Sequence, residues 1–207
     1  MDKAHIFDKA VELAQQSSWE AFSIAELASS LQCSMAELKS HFRSKDDIAE
    51  VFFDRADEAM LKMASQPEFN AQYVDNRLLE CIMCWFNTLV PYKALIKEVL
   101  AYKLEPGHFH LQAHGITRIS RTVQWFLEAS GRKRKGVARI TDEVAITGAY
   151  LTSFAFFLSD NSTNHQRTRK LLSNLINKIS KAQDRLSHCY YLHRLSISPR
   201  KPKNKAS

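Results

Sequence analysis

The stretch from Phe22 to Asp47, FSIAELASSLQCSMAELKSHFRSKDD, constrains the chain more than any other. Ser23 is a good N-cap, and Glu26 three residues on completes a capping box ahead of the apolar run Ile24, Leu27, Ala28 and Leu31. The pattern breaks at Gln32-Cys33, and Ser34 then offers a second N-cap with Glu37 again at the third position. A second short helix follows over Met35 to Phe42, with Leu38 and Phe42 on one face at i, i+4. Its other face carries Met35, Lys39, Ser40 and Arg43, which nothing apolar asks to be buried. Two short helices, a tight turn and a basic outward face are the arrangement in which a helix-turn-helix offers its second helix to the major groove.

The rest of the chain reads as helix throughout. With 45% apolar residues and only 5 Gly and 5 Pro in 207 residues, it is a folded, all-α protein large enough for a small domain and one larger core. A first helix over Lys3 to Gln16 sets Ile6, Phe7, Ala10, Leu13 and Ala14 as the stripe covering the two motif helices, closed by Trp19 and Phe22. A fourth helix starts near Lys45, capped by Ser44, and stops at Pro67. Further helices are expected at about 72–89, 91–102, 108–129, 137–159 and 164–187, with a break at Glu105-Pro106-Gly107 and a loop at Gly131–Gly136. The expected division is a DNA-binding unit at 1–50, a larger helical unit at 51–190 and a basic, flexible tail at 191–207. No run of eighteen apolar residues is present, and the N-terminus lacks a signal-peptide core. Four cysteines in this length are not a disulfide framework, which points to reduced thiols in a cytoplasm.

Net charge is +7, but bulk charge does not mark the DNA-binding end. Residues 1–55 hold six of the 29 Lys/Arg against ten of the 22 Asp/Glu. What serves phosphate there is local: Lys39, Arg43 and Lys45 within seven residues, with His41 between them.

The run His41-Phe42-Arg43-Ser44-Lys45-Asp46-Asp47-Ile48 resembles the HF-x-SK-(D/E)-x-L signature of the TetR family of one-component bacterial regulators. The resemblance extends upstream through Ile6, Ala10, Ile24-Ala25, Leu27-Ala28 and Ser34, covering about residues 3 to 53. Two positions depart from the family pattern. Gln32 stands where the turn usually has Gly, and Lys39 stands where a phosphate-contacting Tyr is usual. The resemblance implies a homodimeric, ligand-responsive repressor in the bacterial cytoplasm, bound to a palindromic operator on double-stranded DNA. Ser34, Met35, Ala36, Lys39 and Ser40 would face base edges or adjacent phosphates, and Ser23, His41 and Lys45 would position the backbone. It also implies a cavity for a small hydrophobic effector in the second unit, for which Met83, Phe86, Tyr102, Phe109, Trp125 and Phe126 are the candidates. The last two helices would form the dimer interface through Phe154, Phe157, Leu158, Leu171, Leu172, Leu175 and Ile179.

A second, weaker resemblance lies in Tyr150–Ser162 with Thr168-Arg169 and Leu172, which are similar in pattern to lipid-binding ubiquinone-biosynthesis proteins of the same fold. It supplies the alternative: a lipid-binding module that no longer binds DNA. Other features have bland readings. Cys81 and Cys84 sit inside an apolar helix with no second pair, so packed thiols are expected and no metal. His108, His110 and His114 read as a solvated or pocket-lining helix start. Arg132–Lys135 reads as a solvated loop, and Leu186–Ile197 as an amphipathic segment that packs on the body, with membrane-surface contact as the secondary reading. No phosphate loop, nucleophile elbow or carboxylate pair is present, so neither an enzyme nor a cofactor is expected.

Overall fold

A computed structural model of the chain describes residues 2–104 and 109–197, side chains over 104–114 and 187–197 excepted. The chain runs through α1 (Lys3–Gln16), α2 (Ile24–Ser30), α3 (Met35–His41), α4 (Lys45–Ala64) and α5 (Pro67–Asn70). It continues through α6 (Val74–Leu89), α7 (Lys93–Leu104), α8 (Phe109–Ser130), α9 (Val137–Ser159) and α10 (Gln166–Ile197). Among the described residues there is no strand, as the sequence leads one to expect. Pro67 ends α4 but also opens the single turn α5, where a proline costs nothing because the first amide of a helix has no internal partner. The expected amphipathic segment near Leu186 is instead a continuation of α10.

One apolar core runs from Ile6 in α1 to Ile176 in α10, continuous across the boundary expected at residue 50. Its axis is α6, whose Leu78, Cys81, Ile82, Trp85, Phe86 and Leu89 are all buried. Phe86 stacks on Tyr150, Phe154 and Phe157 of α9 at centroid distances of 6.0, 5.8 and 5.1 Å. Burial pushes the Cys81 thiol up to about 12 and raises Cys84 as well, so neither is a thiolate nucleophile at neutral pH.

Two polar staples hold the two ends of α9. Gly131, at φ +71, takes the left-handed position after α8 and turns Arg132 inward, with the Arg132 amide donating back to Leu127 O at 3.0 Å. Arg132 is therefore buried rather than solvated as the loop composition suggests. Its Nε donates to both oxygens of Asp142, Nη1 to Asp75 and Ser180, and Nη2 to Gln183. At the other end of α9, Asp160 accepts from the amides of Ser162 and Thr168, each at 2.9 Å, and from Thr168 Oγ1 at 2.7 Å. Burial acts to raise its pKa, but these hydrogen bonds prevail and hold the carboxyl well below the usual range. A lowered carboxylate stabilises the fold above its unfolded pKa, and that contribution disappears as pH falls through the folded value. Asp160→Asn is accordingly expected to cost most near pH ~7 and progressively less below the free-carboxylate pKa of about 3.9, measured by denaturant titration at both pH values.

Candidate nucleic-acid interface and effector cavity

The two motif helices are built as their caps require. Ser23 Oγ accepts from the Glu26 amide, and the Ser23 amide donates to Glu26 Oε2, both at 3.1 Å. Ser34 Oγ accepts from the Glu37 amide at 3.0 Å. The turn between them closes with Gln32 N–H to Ser29 O (3.1 Å) and Cys33 N–H to Ala28 O (3.0 Å), the paired bonds of a Schellman ending. That ending puts its central residue in the left-handed region, and Gln32 sits there at φ +54. A side chain in this conformation costs about 1–2 kcal/mol, part of which glycine gives back as backbone entropy. Gln32→Gly is expected to stabilise the chain by about 0.5–1 kcal/mol, seen as a higher melting temperature with unchanged affinity for DNA.

Helix α3 is anchored by buried Leu38 and by Phe42 just past its end, while Ser34, Met35, Ala36, Lys39 and Ser40 are exposed. Ser40 Oγ donates to Glu37 O at 2.6 Å, and His41 is half-buried. Lys39, Ser40, His41 and Arg43 line a surface groove with Lys3 from α1. Lys45 behaves differently. Its Nζ donates to the carbonyls of Glu20 (3.1 Å) and Phe22 (2.7 Å) and lies 4.2 Å from the Phe22 ring centroid. Burial lowers its pKa. Its first task is thus to fasten the loop before α2 to the start of α4, which fixes where Ser23 stands. Ser44 caps α4 from the Asp47 amide, and Asp47 Oδ2 reaches back to the Arg43 amide at 2.8 Å, so the link from α3 to α4 is stiff.

Behind this interface, α4 forms one wall of a cavity of about 670 Å³ that is completed by residues of α6, α7, α8 and α9. Phe53, Trp85, Leu100, Tyr150, Phe154 and Leu158 supply its apolar surface. Of the residues expected to line a pocket, Met83, Phe86 and Phe126 are sealed in the core, Trp125 is 44% exposed and Tyr102 is half-buried, and none of the five is among the described residues lining this cavity. The Phe109 side chain, the three histidines at 108, 110 and 114, the tail from 198 and the side chains beyond 186 lie outside the described residues.

One side of the cavity is charged. Asp46, Glu50, Asp54 and Asp57 form an acidic stripe along α4, at the spacing of one helix face. Lys103 of α7 binds Asp46 at 2.6 Å and Glu50 at 2.7 Å. Arg118 of α8 binds Asp54 through Nη1 and Asp57 through Nη2, the latter at 2.8 Å. Asp57 also accepts from Trp85 Nε1 (2.8 Å) and Thr122 Oγ1 (3.3 Å). Burial raises its pKa, with Arg118 and these donors acting in the opposite direction. The acid spacing was visible in the sequence. The cations were not, since they lie more than fifty residues away. Helix α7 also reaches the loop between α1 and α2 directly, where Glu98 Oε2 accepts from the Trp19 amide at 2.7 Å.

The residues expected at a dimer interface divide into two sets. Phe154, Phe157 and Leu172 are buried within this chain, because α9 and α10 use them to cover α6. Leu158, Leu171, Leu175 and Ile179 are half-buried. The exposed apolar residues of α9 are Val137, Ile140, Val144, Leu151 and Phe156. No described helix is long and apolar enough to cross a membrane.

No protein-family model matches the chain, and no curated protein does. Solved structures do. A TetR transcriptional regulator from Nitrosomonas europaea ATCC 19718 is 35% identical, with a TM-score of 0.75 over 86% of this chain and 97% of the other. A TetR-family transcriptional regulator from Streptomyces coelicolor is 15% identical, with a TM-score of 0.59 over 97% and 91%, a likeness of fold alone. At that identity and coverage with the first, the chain belongs to the TetR family of transcriptional regulators.

Proposed function

We propose that the protein is a homodimeric, effector-responsive DNA-binding repressor that sets α3 of each subunit in a major groove of a two-fold operator. The observation that carries this reading is the exposed face of α3, where Met35, Ala36 and Lys39 stand free of the body while Leu38 and Phe42 hold the helix in place. Met35, Ala36 and Ser34 meet base edges, and Lys39 and Ser40 meet phosphate. Ser23, His41 and Lys45 hold the backbone register, Lys45 through the loop it fastens. The dimer reading is supported by exposed Ile140 and Val144 on α9 and half-buried Leu171, Leu175 and Ile179 on α10, apolar side chains that pairing of two subunits would cover. Helix α4 begins at the DNA end and forms a cavity wall, so an occupant that shifts it changes the separation of the two recognition helices. A difference in affinity of about 1–3 kcal/mol between the two arrangements is enough for useful switching.

The test is selection of bound duplexes from a random pool, followed by titration. A palindrome with half-sites about 34 Å apart is expected, with affinity falling steeply in salt. Lys39→Ala should weaken binding to all sequences alike and reduce the salt slope by about one per subunit. Failure to enrich any palindrome at low salt sinks the reading. Tight liposome association in that case would favour the lipid-binding alternative.

A further inference from the structure

The inner charges of the cavity wall cancel one another. Lys103 and Arg118 line it, and Asp46, Glu50, Asp54 and Asp57 of α4 hold both of them. Lys97, the remaining cation of the described wall, stands at an exposed position. A charged ligand would therefore give up its water without meeting a free partner inside. Most of the rest is hydrocarbon and aromatic ring, from Phe53, Trp85, Leu100, Phe154 and Leu158, and the volume falls within the range of small-molecule sites.

One polar group of that wall is left over. Thr122 Oγ1 is taken by Asp57, and Ser159 is exposed at the end of α9. Tyr150 is 4% exposed, and its hydroxyl has no hydrogen-bond partner among the described residues. A buried tyrosine hydroxyl is normally paired. Nor is it sealed in, since the unpartnered side-chain atoms without open surface belong to Arg77, Arg118, Ser153 and His165. The Tyr150 oxygen thus opens onto the cavity that its residue lines. Burial, and after it the Asp57 carboxylate, push the phenol pKa up, so at neutral pH the group is an uncharged O–H donor.

We propose that this cavity takes an uncharged, largely apolar molecule with one acceptor oxygen, a ketone or ester, which Tyr150 recognises. The proposal rests on the effector reading above and names the chemical class of the effector. The oxygen accepts from the Tyr150 hydroxyl, and the hydrocarbon body lies against Phe53, Trp85, Leu100 and Phe154. A carboxylate would have to displace the α4 carboxylates from Arg118 or Lys103, and an ammonium would have to displace those cations. Either exchange breaks an ion pair already formed. A plain hydrocarbon would fill the apolar space but leave the Tyr150 hydroxyl unpaired. Tyr150 belongs to α9 and Phe53 to α4, so an occupant touching both bears on the helix that leads to the DNA-binding end.

Equilibrium dialysis of the full chain against 1-tetralone, tetralin, 1-naphthoate and 1-naphthylmethylammonium, bicyclic probes of similar size, tests this. Tetralone should bind about fivefold more tightly than tetralin, the worth of one hydrogen bond, and at least about tenfold more tightly than either ion. Tyr150→Phe removes only the oxygen and keeps the ring against Trp85 and Phe126. It should bring tetralone down to tetralin while leaving tetralin affinity within about twofold. Ala155→Trp, at an exposed position of the wall, should weaken every probe by filling the apolar space. Should Tyr150→Phe fail to fold, the ranking of the four probes on the unaltered chain and the loss in Ala155→Trp decide. Binding of either ion as tight as that of tetralone overturns the proposal. So does a ketone preference that survives Tyr150→Phe, full affinity in Ala155→Trp, or no binding of any of the four. Operator selection on the same preparation separates the two readings. A chain that enriches a palindrome but fails these tests loses the ligand class alone, and a chain that passes them without a palindrome loses the regulator.

Discussion

Replacing Arg132 by alanine is expected to lower the unfolding free energy by about 3–5 kcal/mol, the range for removing one partner of a buried ion pair. The guanidinium ties the loop after α8 to α6 through Asp75, to α9 through Asp142 and to α10 through Ser180 and Gln183. Truncation leaves Asp142, itself 1% exposed, holding a charge with only Gln183 Nε2 donating to it among those partners. In a chain this long, each kcal/mol corresponds to roughly 2–4 °C of melting temperature, so a fall of about 6–20 °C follows. Arg169→Ala is the matched control. Its pair with Glu80 is bidentate, but the two side chains are 42% and 32% exposed, so a loss of about 0–1 kcal/mol is expected. Arg132→Met combined with Asp142→Leu should recover most of the loss, because the cost lies in the stranded carboxylate more than in the missing attraction. Melting curves of the four proteins decide it, and similar small shifts for Arg132→Ala and Arg169→Ala would refute the assignment of Arg132 as a staple.

Trp85→Ala is expected to cost about 3–5 kcal/mol from lost burial and the void left behind. The indole stacks on Phe53 at 5.8 Å and meets Tyr150 and Phe154 edge-on at 5.4 and 5.5 Å, so three helices lose their common contact. A second loss is polar, since Nε1 is one of the donors that keep the Asp57 carboxylate satisfied against its burial. Trp85→Phe separates the two. It keeps most of the ring packing and removes the hydrogen bond, for an expected cost of about 1–2 kcal/mol. Denaturant titration measures both, and equal costs would show that the hydrogen bond, not the packing, is what Trp85 contributes. Because Trp85 is also cavity wall, both variants should change ligand affinity without touching the exposed face of α3.

The motif region was the most legible part. Capping by Ser23, Ser34 and Ser44 is decided by residues three apart, and the structure has all three caps. The turn kept its geometry although Gln32 stands in the left-handed position, because buried Ala28 and Leu38 on either side hold it there. Legibility fell wherever one helix had two apolar faces. In α9 the sequence offers Phe154 and Phe157 as well as Ile140, Val144 and Leu151, and periodicity cannot tell which set covers α6 and which is left outside. The same holds for pocket residues: Phe86 and Phe126 are bulky enough to line a cavity, but their ring contacts seal them in the core.

By itself, then, the sequence determined the all-helical class, the placement of α1 to α4 and the face of α3 that points outward. These are short-range matters of capping, helical period and breakers, acting within a turn or two of chain. Only the tertiary structure decided that Arg132 is buried, that Lys45 turns back onto Phe22, and that Arg118 and Lys103 meet the acidic stripe of α4 at a cavity wall. Those pairings join residues from ten to more than sixty positions apart. The side chain a charge meets is set by how the helices pack, which nothing in its neighbouring residues encodes.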